Sequence, residues 1–371
     1  MKLETFLMER LQSTYENSVE CNLTESGVQS LMVKELVDPM SIGDLHLGYG
    51  HTDGTPELKA AVATLYPGAG PENILITNGT AEANYLVAWA FGDGAAEAAM
   101  TVPNYLQMWG ALESFGTTVR PVSHSVVGGR WALDLDQLAS NVTHRTTLIA
   151  VCNPNNPTGG IFTETEMAAI CRAADRSGAW IMADEVYRGA ERTGPIGPTF
   201  WGRAERVIAT AGLSKAYGLP GLRLGWVVAP PEMIAQLWKY KDYTTIGASP
   251  LSDHLARIAL EPAARHRILA RTRTIINEQY PTIESWLGER PEVFQWIAPM
   301  AGGFVYPQFS LPLTSTDLAE RLRLKKSTLV VPGDHFNMGP YLRLGFGYDP
   351  TILREGLRRI GELIDDITSA R

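Results

Sequence analysis

The chain is poor in the residues that build metal and disulfide sites. It has 3 cysteines, Cys21, Cys152 and Cys171, far apart and without a CxxC pair. That spacing argues against a zinc centre or a disulfide framework and fits a reducing cytoplasm. The 7 histidines show no HExxH or other ligand spacing, so no metal is expected. No stretch approaches the roughly 20 apolar residues of a membrane span, and the opening segment MKLETFLMERLQSTYEN lacks the uninterrupted apolar core of a signal peptide. Positive charge is scarce as well. With 32 Lys and Arg against 40 Asp and Glu, the formal net charge is -8, which leaves no basic footprint for nucleic acid or an anionic membrane. A small molecule is the expected partner.

What is present is an ordinary globular composition, 45% hydrophobic and 19% charged over 371 residues. That length exceeds what one hydrophobic core usually supports, so a large and a smaller domain are expected. Between about residue 70 and residue 230, short apolar runs alternate with polar or glycine loops and helical stretches. Candidate strands are NILIT (73–77), AAMTV (98–102), TTLIAV (146–151), AWIMA (179–183), RVIATA (206–211) and LGWVVA (224–229). The alternation predicts an α/β fold, a mostly parallel sheet between helices. From about 253 the texture turns to long helical periods, then to the short strands GGFVYPQF and YLRLGFG and a helix near 350–368. The large domain is placed at 46–265, and a smaller α+β domain combines 1–45 with 266–371. The N-terminal segment reads as an amphipathic helix with Leu3, Phe6, Leu7 and Leu11 on its apolar face.

In open α/β sheets a ligand sits outside the carboxyl ends of the strands, and the unusual residues fall there. NILIT runs into Gly79, Thr80 and Ala81 at the start of a helical stretch, where backbone N–H groups can face a phosphate; an ordinary capped helix is the alternative. Asp184, in MADEVYRG, follows a buried strand, and a carboxylate there needs a cation or several donors. A protonated pyridine nitrogen would serve, with Tyr187 reaching the phenolic oxygen of the same ring; a helix cap is the bland reading. NPNNPTGG can be just a tight loop, although Pro157 restricts Asn156 and fixes its side-chain direction. In ATAGLSKAYGLPGLRLGW, Lys215 and Arg223 stand eight residues apart in an apolar, glycine-studded setting. Together these elements request a phosphorylated, aldehyde-bearing pyridine cofactor.

NPNNPTG, ADEVY and SKAYGLPGLRLGW, in this order, resemble the aspartate aminotransferase superfamily, the fold-type I pyridoxal-phosphate enzymes of aminotransferase class I and II. The likeness covers nearly the whole chain. It implies pyridoxal 5'-phosphate as cofactor, with Lys215 as the internal Schiff-base lysine and Asp184 on the pyridine nitrogen. Tyr187 and Asn156 would meet the phenolic oxygen, and Gly79, Thr80, Ala81, Ser214 and Arg223 would surround the phosphate. Tyr105 would stack on the ring, and Tyr49 would reach the phosphate of the neighbouring subunit, which implies a homodimer with shared sites. For both tyrosines core packing is the alternative. Arg343, in YLRLGFG, would grip the substrate α-carboxylate in a fork; the alternative is an unrelated ion pair.

The resemblance implies an aminotransferase moving an amino group from an L-amino acid to a 2-oxo acid, through a Lys215 Schiff base and a quinonoid intermediate. Two departures stand out. Where many members carry a phosphate-binding serine three residues before the lysine, this chain has Gly212, so Ser214 or Thr210 must substitute or the contact is lost. Near the N-terminus NLTESGVQSL replaces a GxPD-like loop, and Glu25, Ser26 and Gly27 would line the substrate pocket, unless that loop is merely solvated. This stretch, with WKYKDYTTIGASPLSDHLA, resembles a subgroup that includes aminotransferases and capreomycidine synthase, which raises the alternative of elimination, replacement or cyclisation on a polar or basic amino acid. A reading from another class is a DNA-binding regulator with an aminotransferase-like domain. It needs a basic head, and residues 1–45 are not basic.

Overall fold

The computed structural model describes residues 3–369 apart from 93 and 95. In chain order the strands are β1 (Cys21–Asn22), β2 (Ile74–Thr77), β3 (Glu97–Val102), β4 (Thr118–Val127), β5 (Arg130–Leu133), β6 (Thr146–Cys152), β7 (Trp180–Asp184), β8 (Val207–Gly212) and β9 (Gly225–Val228). The last eight form one sheet in the order β2-β9-β8-β7-β6-β3-β4-β5. Its centre is parallel: β8 pairs β7, β7 pairs β6, β6 pairs β3 and β3 pairs β4 in the same direction. Strand β9 runs antiparallel to both β8 and β2.

The central strands are apolar because both faces are covered. Along β6, Leu148 and Ala150 join the core on one face, with Leu86, Met100 and Met182. Ile149 and Val151 join the core on the other, with Ile170, Ile181 and Val207. The period of two therefore survives inside an unbroken hydrophobic run. All six expected strands are present within a residue or two. Strands β4 and β5 were not expected, because β4 (TVRPVSHSVV) alternates buried and exposed positions and carries no continuous apolar run. The pair is a hairpin closed at Gly128 and Gly129, with φ of 59° and 75°, the left-handed geometry that a two-residue turn requires.

The expected long helical region is two helices, Pro250–Leu260 and Pro262–Gly288. Glu261, at φ -54° and ψ 139°, breaks them because a residue preceding proline is pushed out of the helical region. Short strands follow: β10 (Phe294–Gln295), β11 (Phe304–Val305), β12 (Gln308–Phe309), β13 (Thr328–Leu329), β14 (Val331–Pro332) and β15 (Leu342–Gly345). β11, β15 and β14 form a small sheet, and the helix Pro350–Ser369 ends the fold. β1 pairs in parallel with β13, so the N-terminal stretch is stitched to the C-terminal third. That stitch carries Thr24 to Val28 across the carboxyl end of the main sheet.

The N-terminal helix is real but turned differently from its sequence pattern. It spans Leu7–Tyr15, with Met8 as its buried residue, while Leu3 and Leu7 are 61% and 54% exposed. Of the expected apolar face, Leu3 and Leu7 stay outside the core, while Phe6 packs beside the small cluster that holds Met8 and Phe336. Instead the helix lies over a cavity, and Met8, Glu9, Gln12 and the following Glu16 face into it.

Candidate active site

A cavity of about 460 Å³ opens at the carboxyl ends of β6, β7 and β8 and is roofed by that N-terminal helix. It gathers Glu25, Ser26, Thr80, Ala81, Tyr105, Asn156, Asp184, Tyr187, Ser214, Lys215, Arg223 and Arg343. Three other expected residues do not line it. Gly27 lies behind, where an added Cβ would stand 3.6 Å from Lys215 Cδ, and Gly79 starts the helix at one wall. Tyr49 is 97% exposed and lies outside the cavity of its own chain.

The helix Thr80–Ala90 has no side-chain cap, because its first flanking residue is Gly79, at φ 79°. Among the described residues no side chain caps this end, and Thr80 and Ala81 line the cavity, an arrangement suited to an anion. Glycine is needed there because the φ is left-handed, and a Cβ would also stand 2.6 Å from Arg223 Nη2, so that the guanidinium would have to shift. Arg223 is itself left-handed, at φ 46°. Beside it, Thr80 Oγ1 is buried without a hydrogen-bond partner among the described residues, a condition that costs free energy unless something else binds there.

Gly212 explains how that hydroxyl is accommodated. A Cβ on Gly212 would stand 2.7 Å from Thr80 Oγ1 and 2.8 Å from the Leu224 carbonyl, so a serine has no room. Thr210 is no substitute, because its hydroxyl donates to Asn84 Oδ1 at 2.8 Å. The hydroxyls left at this corner of the cavity are those of Thr80 and Ser214.

Asp184 ends β7 with its side chain buried. One carboxylate oxygen accepts from the Val186 N–H at 3.1 Å and the other from Asn84 Nδ2 at 2.9 Å. Burial still pushes its carboxyl above the usual range, and the two hydrogen bonds only partly offset this. Opposite, Lys215 Nζ donates to Glu25 Oε1 at 2.7 Å. That oxygen also accepts from the N–H groups of Ser26 and Gly27. Burial alone would raise the Glu25 carboxyl, but the Lys215 ammonium and these bonds bring it down to about 2. Burial likewise opposes the Lys215 charge, and Glu25 outweighs it, so the ammonium is held above its ordinary value.

Tyr187 is buried and donates to Ser26 Oγ at 2.7 Å. Arg343 is 1% exposed; its Nη1 donates to Asn156 Oδ1 at 2.9 Å and its Nη2 to the Thr24 carbonyl at 2.6 Å. It is thus no surface ion pair but a buried guanidinium at the cavity wall, and its Nε has no hydrogen-bond partner among the described residues. Tyr105 packs edge-on against Phe6, 4.9 Å between centroids, and its hydroxyl donates to Glu9 at 2.9 Å. The 25–27 loop is no solvated turn, since Thr24 and Ser26 beside Glu25 are 0% and 4% exposed.

Sequence reasoning missed Asn84, Glu9, Gln12 and Glu16. Each had a signal. Asn84 falls one helical turn after Thr80, and Met8, Gln12 and Glu16 repeat every four residues on one face. Among the described residues no group of three or more His, Cys, Asp or Glu is arranged to hold a metal, and no helix is long and apolar enough to cross a membrane.

The chain as a whole resembles known proteins of one family. The family described as aminotransferase class I and II matches residues 23–360. Capreomycidine synthase of Streptomyces vinaceus is 30% identical over 368 residues, covering 97% of this chain and 92% of that protein. An aspartate aminotransferase of Streptomyces avermitilis is 26% identical, over 86% of this chain and 82% of its own. A crystal structure of a PLP-dependent aminotransferase from Streptococcus suis superposes with a TM-score of 0.92 at 31% identity, covering 99% of both chains.

Proposed function

The chain belongs to the aminotransferase class I and II family, and from that premise we propose that it moves an amino group from an L-amino acid to a 2-oxo acid. The observation that carries the proposal is the placing of one amine, Lys215, within a cavity whose walls supply an open helix N-terminus, a buried carboxylate and a buried guanidinium. The family's cofactor is pyridoxal 5'-phosphate, and the residues fit it. An unpaired Thr80 hydroxyl, uncapped N–H groups at Thr80 and Ala81, Ser214 and Arg223 suit a phosphate. Asp184 suits a protonated ring nitrogen, Tyr187 and Asn156 the phenolic oxygen, and Tyr105 the ring face.

When bound, the cofactor supplies an aldehyde for an amino group and a ring that withdraws electrons from the substrate α-carbon. The chain supplies the rest. Lys215 would hold the cofactor through its amine and give way to the amine of the substrate. Its freed Nζ then takes the proton from the α-carbon as a general base, and later returns one. Asp184 would hold a proton on the ring nitrogen. Arg343, steadied by Asn156, grips the α-carboxylate and orients the C–H bond toward Lys215. Tyr49, exposed on its own chain, would be free to reach the phosphate of a second copy in a homodimer. The three cysteines, all buried and free, suit a reducing compartment such as the cytoplasm.

A second reading is elimination, replacement or cyclisation on a polar or basic amino acid. It is favoured by the 30% identity to capreomycidine synthase over 97% of this chain, and by Glu9, Glu16 and Glu25 at the cavity, which suit a cationic side chain. Both readings use the same cofactor contacts. They are separated by incubating the holoenzyme with a panel of amino acids, with and without a 2-oxo acid, and analysing products. A keto acid formed only with an acceptor supports transamination; ammonia or a cyclic product without any acceptor overturns it. Lys215→Ala should abolish both turnover and the visible absorbance of bound cofactor.

A further inference from the structure

Asp184, Asn84 and Thr210 form one hydrogen-bonded line. Asp184 and Thr210 are directly paired across β7 and β8, so their side chains rise from the same face of the sheet. Asn84 comes down onto that face from the helix Thr80–Ala90 and sits between them, donating to Asp184 at 2.9 Å and accepting from Thr210 at 2.8 Å. All three are buried, at 9%, 4% and 0% exposure. A carboxylate only accepts, so the amide nitrogen must face Asp184, and its oxygen then needs a donor. Thr210 is that donor: the carboxylate excludes the flipped amide, in which oxygen would face oxygen, and the Thr210 hydroxyl turns its proton to the amide oxygen that results.

We propose that Asn84 is a positioning residue whose amide, locked by the Thr210 hydroxyl, aims the Asp184 carboxylate into the cavity. The inference rests on the reading that Asp184 faces the cofactor's ring nitrogen. The Val186 N–H and Asn84 each occupy one oxygen of Asp184. Rotation of the carboxylate is thereby blocked, and the remaining lone pairs face the space that Asn84 and Asp184 both line. A mere packing role for these residues would need shape but not the hydroxyl of Thr210.

The test compares Asn84→Leu, Thr210→Val, Thr210→Ser and Asp184→Asn by affinity of the folded apoprotein for pyridoxal 5'-phosphate, and by pH titration of the bound cofactor's visible absorbance. Thr210→Val keeps the shape and loses the donor, whereas Thr210→Ser keeps the donor. Asn84→Leu and Thr210→Val should each weaken cofactor binding by about tenfold, and the double variant should be no weaker than Asn84→Leu, since the residues act in series. The titration midpoint should rise by about one pH unit in both, because a ring nitrogen carrying less positive charge makes nearby protons harder to lose. Thr210→Ser should match the parent protein. If Thr210→Val binds and titrates as the parent while Asp184→Asn loses the cofactor, the positioning role is overturned and the reading of Asp184 stands. If Asp184→Asn also behaves as the parent, the reading of Asp184 itself is overturned.

Discussion

Lys215 Nζ and Glu25 Oε1 are joined at 2.7 Å, so the lysine expected to bond a cofactor is first held as an ammonium ion. The pair couples a residue at the carboxyl end of the large sheet to the N-terminal stretch that closes the cavity. An ammonium is a poor nucleophile, and any carbonyl that enters must compete with Glu25 for it.

This pair has a pH signature. The Glu25 carboxyl lies at about 2 in the fold, below its ordinary 4.5. A depressed carboxyl contributes stability that is present above the ordinary value and is lost as pH falls through the folded one. The apoprotein should therefore lose an increment of stability between about pH 4.5 and 2 that Glu25→Gln does not lose. Thermal unfolding of both apoproteins across that range checks it. At neutral pH the same variant should take up pyridoxal 5'-phosphate about tenfold faster, since Lys215 gives up its proton more readily without the carboxylate; stopped-flow absorbance measures this.

Thr80 and Gly212 make a second expectation, about the phosphate corner. Thr80 Oγ1 has no hydrogen-bond partner among the described residues, so Thr80→Ala removes no protein contact of that hydroxyl. The apoprotein should be no less stable, while cofactor affinity falls about tenfold or more, because a hydrogen bond to a charged group is worth ~1.5–3 kcal/mol. Equilibrium dialysis and urea unfolding together separate the two effects. Gly212→Ser, which restores the residue common in the family, should instead destabilise the protein by ~1–3 kcal/mol. Its Cβ would meet the Leu224 carbonyl at 2.8 Å and Gly225 Cα at 3.1 Å, backbone atoms that cannot swing away.

The sheet and most of the cavity were legible because their signals are local. NILIT, TTLIAV, AWIMA and RVIATA are apolar runs with polar residues at their carboxyl ends, and an open α/β sheet brings those ends together. Glu25 and Arg343 were legible only through resemblance, since nothing in NLTESGVQSL or YLRLGFG says that β1 will pair with β13. The Asn84 brace was hidden because it joins three segments, on a helix and two strands, by side chains alone. Strand β4 was hidden by its half-exposed pattern, and the roofing helix misled because Leu3 and Leu7 mimic a core face. Gly212 reads in sequence as a missing contact; in space it is the room that Thr80 occupies.

Arg343 should govern substrate binding more than turnover. Its guanidinium is fixed by Asn156 Oδ1 and the Thr24 carbonyl, at 2.9 and 2.6 Å, and a lysine cannot reproduce that planar fork. Truncating a buried, hydrogen-bonded charge costs ~2–5 kcal/mol. Arg343→Lys should therefore raise KM for the amino acid on the order of a hundredfold, with a smaller change in kcat. Cofactor absorbance should be retained. Steady-state kinetics with the preferred amino acid decide it, and a KM equal to that of the parent protein would remove Arg343 from the substrate site.

Tyr49 offers a test of shared active sites that does not depend on the substrate. At 97% exposure its side chain has little packing in its own chain to lose. Tyr49→Phe should therefore leave the unfolding of separated subunits unchanged while weakening cofactor retention in the assembled enzyme. Complementation goes further. Lys215→Ala and Tyr49→Phe subunits, each impaired alone, are mixed, dissociated and reassociated. If Tyr49 serves the neighbour's phosphate, each mixed dimer has one site with both residues intact and one with neither. Random pairing makes half the dimers mixed, so activity should recover to about a quarter of the parent value. If Tyr49 acted within its own chain, every site would still lack one of the two residues, and mixing would recover nothing.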